Sequence, residues 1–189
     1  KTNPVRLISR QKEAADLEKT GSNIKARLKE AGLEAIGDRI EIVRTSDGLR
    51  IELAEGANGQ EFFALASSIM TPTMKRTLEI IAQELSPLRN PIIVEGHTDA
   101  AQYAGLYSNW ELSADRANAA RRSLEFAGLN SARIIEVRGM ADRELRNASN
   151  PLDPRNRRIT IMLPFTTRLD DPPPAPTVPQ PPRVPGVTG

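Results

Sequence analysis

Residues 91–99 read Pro91-Ile92-Ile93-Val94-Glu95-Gly96-His97-Thr98-Asp99. The β-branched opening marks a buried strand. If that strand ran on, Glu95, His97 and Asp99 would project from one face, because strand side chains alternate with period two. Two carboxylates around the only histidine of the chain then have the look of a metal site or a general acid–base cluster. Gly96 favours an earlier end to the strand. A strand that stops near Gly96 frees Asp99 from the face of Glu95 and His97 and leaves His97 a structural place beside the turn.

The surroundings of this stretch set the fold class. Upstream, "DRIEIVRTSDGLRIELAE" (38–55) is two alternating runs around Asp47-Gly48, a strong hairpin signal. Thr71-Pro72 is an N-cap followed by proline at the first helical position. It opens a helix whose apolar Met74, Leu78, Ile81 and Leu85 recur at helical spacing, and Pro87 stops it. Downstream, Ser108 or Asn109 starts a second helix through Phe126, with Leu112, Ala119 and Leu124 inward and Gly128 closing it. "ARIIEVRG" (132–139) and "RRITIMLPF" (157–165) are further strands. The order hairpin, helix, strand, helix, strand, strand predicts an α+β domain over 36–167, a mixed β-sheet with two helices packed on one face.

Two flanks differ from this domain. Residues 1–35 are helix-prone and mostly polar, with a thin stripe of Ala14, Leu17, Ile24 and Leu28 interrupted at Thr20-Gly21-Ser22-Asn23. They read as a helical linker or stalk, with dimerisation as its possible work. Residues 168–189 are dominated by proline and read as a disordered or polyproline-like tail. The formal net charge of +2 is uneven: residues 1–30 hold eight Lys/Arg against four Asp/Glu. The domain itself is slightly acidic, which argues against a nucleic-acid-binding surface. Cysteine is absent, so thiol nucleophiles, disulfides and Cys-based zinc sites are excluded. No apolar run approaches the roughly 18 residues of a membrane span, so any such segment is expected before Lys1.

Four short motifs then fall in order: Gly96-His97-Thr98-Asp99; Asn109-Trp110-Glu111-Leu112-Ser113 with Arg116-Ala117; Gly139-Met140-Ala141; and Asn156-Arg157-Arg158. Together they resemble the OmpA-like peptidoglycan-binding domain, over roughly Phe63 to Leu163. The run Trp110-Glu111-Leu112-Ser113, and "FALASSIMTPTM" (63–74) with Phe63 and Pro72 in place, resemble its MotB branch, the stator subunits of the bacterial flagellar motor. Ala66 stands where that branch usually has glycine, and the loop 100–107 is longer than in generic members.

The resemblance implies a non-catalytic cell-wall anchor with no cofactor, which grips the diaminopimelate end of the peptide stem. That ligand carries an ammonium and a carboxylate on one carbon. Asp99 suits the ammonium, and Arg116 offers a planar fork to the carboxylate as companion of Asp99. The helix start near Asn109 adds free backbone N–H groups. Leu112 is an apolar wall, and Thr98 and Asn109 are orienting partners. Arg121 and Arg158 are secondary candidates. Arg121 and Arg122 ordinarily form a solvated face, the other reading being contact with glycan or stem. Arg157 and Arg158 point to opposite faces, so only one of them can meet the ligand. Trp110 either stacks on sugar or, more commonly for so apolar a ring, is buried against the sheet.

The resemblance further implies a homodimer, a periplasmic domain of an inner-membrane-anchored protein, and a MotA-type channel subunit as partner. Competing expectations are another OmpA-like anchor, such as the peptidoglycan-associated lipoprotein or an outer-membrane type, and a metal-dependent hydrolase built on Glu95, His97 and Asp99.

Overall fold

The computed structural model describes residues 3–57, 62–102 and 106–169. The proline-rich tail beyond Leu169 and the middle of the 100–107 loop lie outside them. Five strands form one sheet: β1 (Ile40–Arg44), β2 (Gly48–Ala54), β3 (Ile92–His97), β4 (Ile134–Gly139) and β5 (Arg158–Pro164), in the spatial order β1-β2-β5-β3-β4. Only β3 and β4 run parallel. A parallel pair needs a crossover, and α3 (Asn109–Phe126) supplies it. The sheet is mixed and the helices are α1 (Pro4–Glu30), α2 (Pro72–Leu85) and α3.

Local signals place the two predicted helices as the sequence suggests. The Thr71 hydroxyl accepts from the Met74 amide at 3.1 Å. Ser108 and Glu111 form a reciprocal capping box that fixes the first turn of α3. The apolar side chains of α1, α2 and α3 meet one face of the sheet in a single core that includes Leu17, Ile51, Leu78, Ile92, Leu124 and Ile161.

Two glycines set how closely α3 lies. Gly96 and Gly139 are register partners on β3 and β4. A Cβ on Gly96 would sit 2.1 Å from the Ser113 carbonyl oxygen, and one on Gly139 would sit 2.8 Å from the Ala114 Cβ. Helix backbone and sheet backbone are therefore in direct contact beneath the start of α3. Gly96 is required for this approach, and it does not end the strand. β3 continues to His97, because the partner strand β5 reaches back to pair Arg158 with it.

The N-terminal helix departs from the expected stalk. It begins at Pro4, capped by Asn3, and runs unbroken to Glu30. Ala14, Leu17, Ile24 and Leu28 are buried in the same core as the sheet. The expected interruption is a packing point: Gly21 lies against the Ile42 side chain, where a Cβ would come within 2.9 Å. Polar straps hold the helix. Arg10 donates to the carbonyls of Thr167 (2.7 Å) and Ser46 (2.6 Å) and stacks over Phe165. Glu13 accepts from the Asn90 side chain at 2.7 Å, from the Thr166 amide at 2.6 Å and from the Thr167 amide at 3.1 Å. Burial works against the Glu13 charge, but the bonds from Thr166 and Thr167 outweigh it and hold the carboxyl below its ordinary value.

Candidate functional site

Thr98 and Asp99 leave the end of β3 under close backbone control. The Thr98 amide donates to the Ala141 carbonyl at 2.8 Å, and the Ala100 amide donates to the Pro151 carbonyl at 3.0 Å. Asp99 turns the chain with its own side chain, accepting from the Ala101 amide at 3.2 Å. Asn109, at the first turn of α3, locks that turn by donating to the carbonyls of Asp99 (3.3 Å) and Ala101 (2.9 Å). Asn109 thus fixes the backbone turn that carries Asp99. Leu112 is fully buried, one turn further into the helix.

The direct partner of Asp99 is Arg157, whose guanidinium forms a very short charge-assisted contact with the second carboxylate oxygen. Arg116 is turned elsewhere. Its Nε donates to the Ser67 carbonyl at 2.8 Å, and its guanidinium lies over the Phe63 ring at 5.0 Å. Asp99 and Arg116 are therefore neighbours in one site, but they are not an ion pair. Arg116, Arg157, Glu55 and Phe63 line the same small cavity. Glu55 is buried there and its carboxylate accepts from the Phe63 amide at 3.0 Å. Two cations and two carboxylates are gathered at one end of the sheet, almost wholly out of water.

Arg157 is the functional candidate that the sequence reading missed. It lies 58 positions from Asp99, and no local pattern links them. The rule that Arg157 and Arg158 face opposite ways was the available signal, and it selects Arg157. Arg158, the expected secondary candidate, points to the other face of the sheet, 3.5 Å from the Glu52 carboxylate. Burial there lowers the tendency of Arg158 to hold its proton, and Glu52 opposes that. Arg121 is likewise engaged within its own helix, donating to Glu125 at 2.8 Å and to Asn118 at 3.3 Å.

The loop that offers its carbonyl to Arg116 carries a strained residue. Ala66 has a φ of 51°, in the left-handed region that favours glycine. The turn keeps a glycine-like shape although the residue is alanine.

Glu95 and His97 share the sheet face opposite α3. The His97 Nε2 lies 3.7 Å from one Glu95 oxygen, and Arg138 donates to the other at 2.7 Å. His97 holds the Glu95 carboxyl below its ordinary value, burial opposes this, and Arg138 lowers it further. Asp99 belongs to a separate cluster around Arg157. Among the described residues no group of three or more His, Cys, Asp or Glu side chains is arranged to hold a metal ion. Trp110 is half exposed (49%), with the Arg143 guanidinium 5.7 Å from its ring centre. It is not buried against the sheet, because the first turn of α3 directs it outward.

A profile of the OmpA family matches residues 62–158, just over half of the chain, with Phe63, Asp99, Arg116 and Arg157 inside the match and Glu55 before it. The chain belongs to the OmpA family. Among its relatives in that group, the flagellar export/assembly protein LafU of Escherichia coli O44:H18 is 36% identical over 82% of this chain and 50% of its own length. Motility protein B of Escherichia coli K12 is 40% identical over 69% of this chain and 43% of its own length. The OmpA-family chain described here thus spans about half the length of these relatives. Its fold matches a MotB-like protein from Desulfovibrio vulgaris with a TM-score of 0.67 and 22% identity, covering 82% of this chain and 98% of that one. The cell wall anchor of the type VI secretion system from Pseudomonas aeruginosa gives a TM-score of 0.59 and 28% identity, covering 74% of this chain and 96% of that one.

Proposed function

We propose that this chain is a non-catalytic peptidoglycan anchor of a flagellar motor stator, which holds the diaminopimelate end of a peptide stem between Asp99 and Arg116. The observation that carries this reading is the buried charge cluster at the end of β3. Asp99 already accepts a cation there, the guanidinium of Arg157. A ligand ammonium makes the same contact by sharing or displacing that guanidinium. Arg116, whose Nε donates to the Ser67 carbonyl, brings a guanidinium of the geometry that suits the neighbouring ligand carboxylate. Thr98 adds a buried hydroxyl that has no hydrogen-bond partner among the described residues. The likeness to motility protein B and to a cell wall anchor agrees with the role.

The wider setting belongs to the same proposal. It comprises a periplasmic position, an inner-membrane anchor, a homodimer and a MotA-type channel subunit. The test is co-sedimentation of the full chain with purified peptidoglycan. Asp99→Ala and Arg116→Lys each reduce retention about tenfold or more, a loss typical of a buried charged contact. Unchanged retention of both variants, with their folds verified by circular dichroism, overturns the reading.

A further inference from the structure

A cation with a carboxylate on each flank stands just before the middle strand. Ala54 and Arg158 are the last register pair of β2 and β5. One step beyond them, the Glu55 amide donates to the Arg157 carbonyl at 3.0 Å. Residues opposed in this way carry their side chains on one face, within reach of each other. On the other flank β3 ends at His97, the partner of Arg158, and Asp99 follows two positions later. Arg157 thus stands between Glu55 and Asp99, and its guanidinium is bonded to Asp99.

The two carboxylates are differently engaged. Asp99 gives one oxygen to the Ala101 amide and the other to Arg157. Glu55 is 2% exposed and accepts from the Phe62 and Phe63 amides at 3.0–3.3 Å. Those donors are neutral, and a carboxylate has acceptor positions beyond the ones that two amides use. Glu55 is therefore a second acceptor for Arg157 that keeps its hold on the chain before α2. The open groove of about 900 Å³ between α2 and α3 shares none of these residues.

The cluster is neutral as it stands, with the carboxylates of Asp99 and Glu55 against the guanidinium groups of Arg116 and Arg157. A ligand ammonium that joined Arg157 at Asp99 would set two cations on one buried carboxylate, where like charges repel strongly. Moving Arg157 to Glu55 removes that conflict. The ligand ammonium then meets Asp99, the ligand carboxylate lies by Arg116, and every buried charge has a partner of opposite sign.

We infer that Arg157 is a built-in competitor for the ammonium position, bonded to Asp99 before ligand binds and passed to Glu55 when a ligand ammonium arrives. The inference rests on the proposed function and assigns specificity to two residues outside the Asp99–Arg116 pair. A neutral donor, such as a hydroxyl or an amide, cannot replace a guanidinium on a buried carboxylate, because it brings no charge to the exchange. Arg157 thereby restricts the position to cations, and Glu55 makes the exchange possible.

The experiment measures, by calorimetry on the full chain, binding of a soluble sugar-free stem peptide containing diaminopimelate. Arg157→Gln removes the charge of the competitor. The peptide is expected to bind this variant about tenfold more tightly than the wild type, since its ammonium then neutralises an unpaired Asp99. Equal or weaker binding, with the fold verified by circular dichroism, overturns the inference and makes Arg157 a positioning residue for Asp99. Glu55→Gln takes away the second acceptor, and binding is expected to fall about fivefold. That loss should vanish when Arg157→Gln is added, because nothing is left to transfer. A loss that persists in the double variant assigns Glu55 to the fold alone and overturns the transfer. A measurement on the wild type does not depend on the stability of any variant. The Arg157 Nε–H and Glu55 carboxyl signals, assigned through their own backbones, are followed by NMR as the peptide is added. Both are expected to move, and a signal that stays in place at saturation overturns the transfer. Failure of the parent reading has a different signature: the peptide binds neither the wild type nor any variant, and the inference falls with it.

Discussion

The end of the sheet and the α2–α3 groove carry cations in opposite conditions. Arg116 and Arg157 are withdrawn from water and already bonded to protein oxygens. Lys75 and Arg122 border an open groove, and their side chains have no partner among the described residues. A ligand at the sheet end must match the contacts it replaces, because a buried charge left unpaired is heavily penalised. A ligand in the groove competes only with water and dissolved salt. The first arrangement suits discrimination between chemical groups, and the second imposes no such match.

The sharpest way to break this contrast is to remove one half of the buried pair. Asp99→Ala, or Arg157→Ala, is expected to lower the unfolding free energy by about 3 kcal/mol, since each leaves its partner buried. In denaturant titrations the double variant should lose far less than the sum of the two. Additive losses would show that the two groups do not sense each other, and the sheet end would then be no different from the groove.

An acid titration probes the opposite end of the sheet. The folded value of Glu13 lies below its unfolded one, so its contribution is complete above the ordinary carboxylate range. It is lost as pH falls through the folded value. Hydrogen-exchange protection of α1, measured against the intrinsic rate at each pH, should therefore fall at acid pH in the wild type. Glu13→Gln should show a weaker pH dependence there, and an unaltered profile would dissociate the strap from that titration.

The smallest expected effect concerns the loop that serves Arg116. Ala66→Gly removes the left-handed strain and should stabilise the chain by about 0.5–1 kcal/mol, read as an upward shift of the denaturation midpoint. A destabilised variant would mean that chain entropy dominates at this turn.

Local signals carried most of the fold. The hairpin at Asp47, the Thr71 cap, the helix start at Ser108 or Asn109 and the five strands were legible because each depends on neighbours in sequence. What escaped depends on distant contacts. Gly21 reads as a helix breaker until Ile42 of β1 is seen to fill the space beside it. His97 reads as lying beside the turn, past the strand end, because nothing nearby announces that Arg158 will pair with it. For the site, the motifs placed Asp99, Asn109 and Arg116 in one region, but which cation meets Asp99 was settled by the direction in which β5 begins. Trp110 was misjudged because apolarity alone ignores where a helix turn points.

The placement of α1 has a mechanical consequence. Its first turns are tied by Arg10 and Glu13 to Thr166 and Thr167, just beyond one end of β5, while Arg157 and Asp99 meet at the other end. β5 is the middle strand, bonded to β2 on one side and β3 on the other. A pull on the start of α1 against a hold at Asp99 runs along that strand. Its hydrogen bonds are then loaded together in shear, and none can be peeled open one after another. Force between the helical start and the charged tip is thus shared across both ladders of the middle strand.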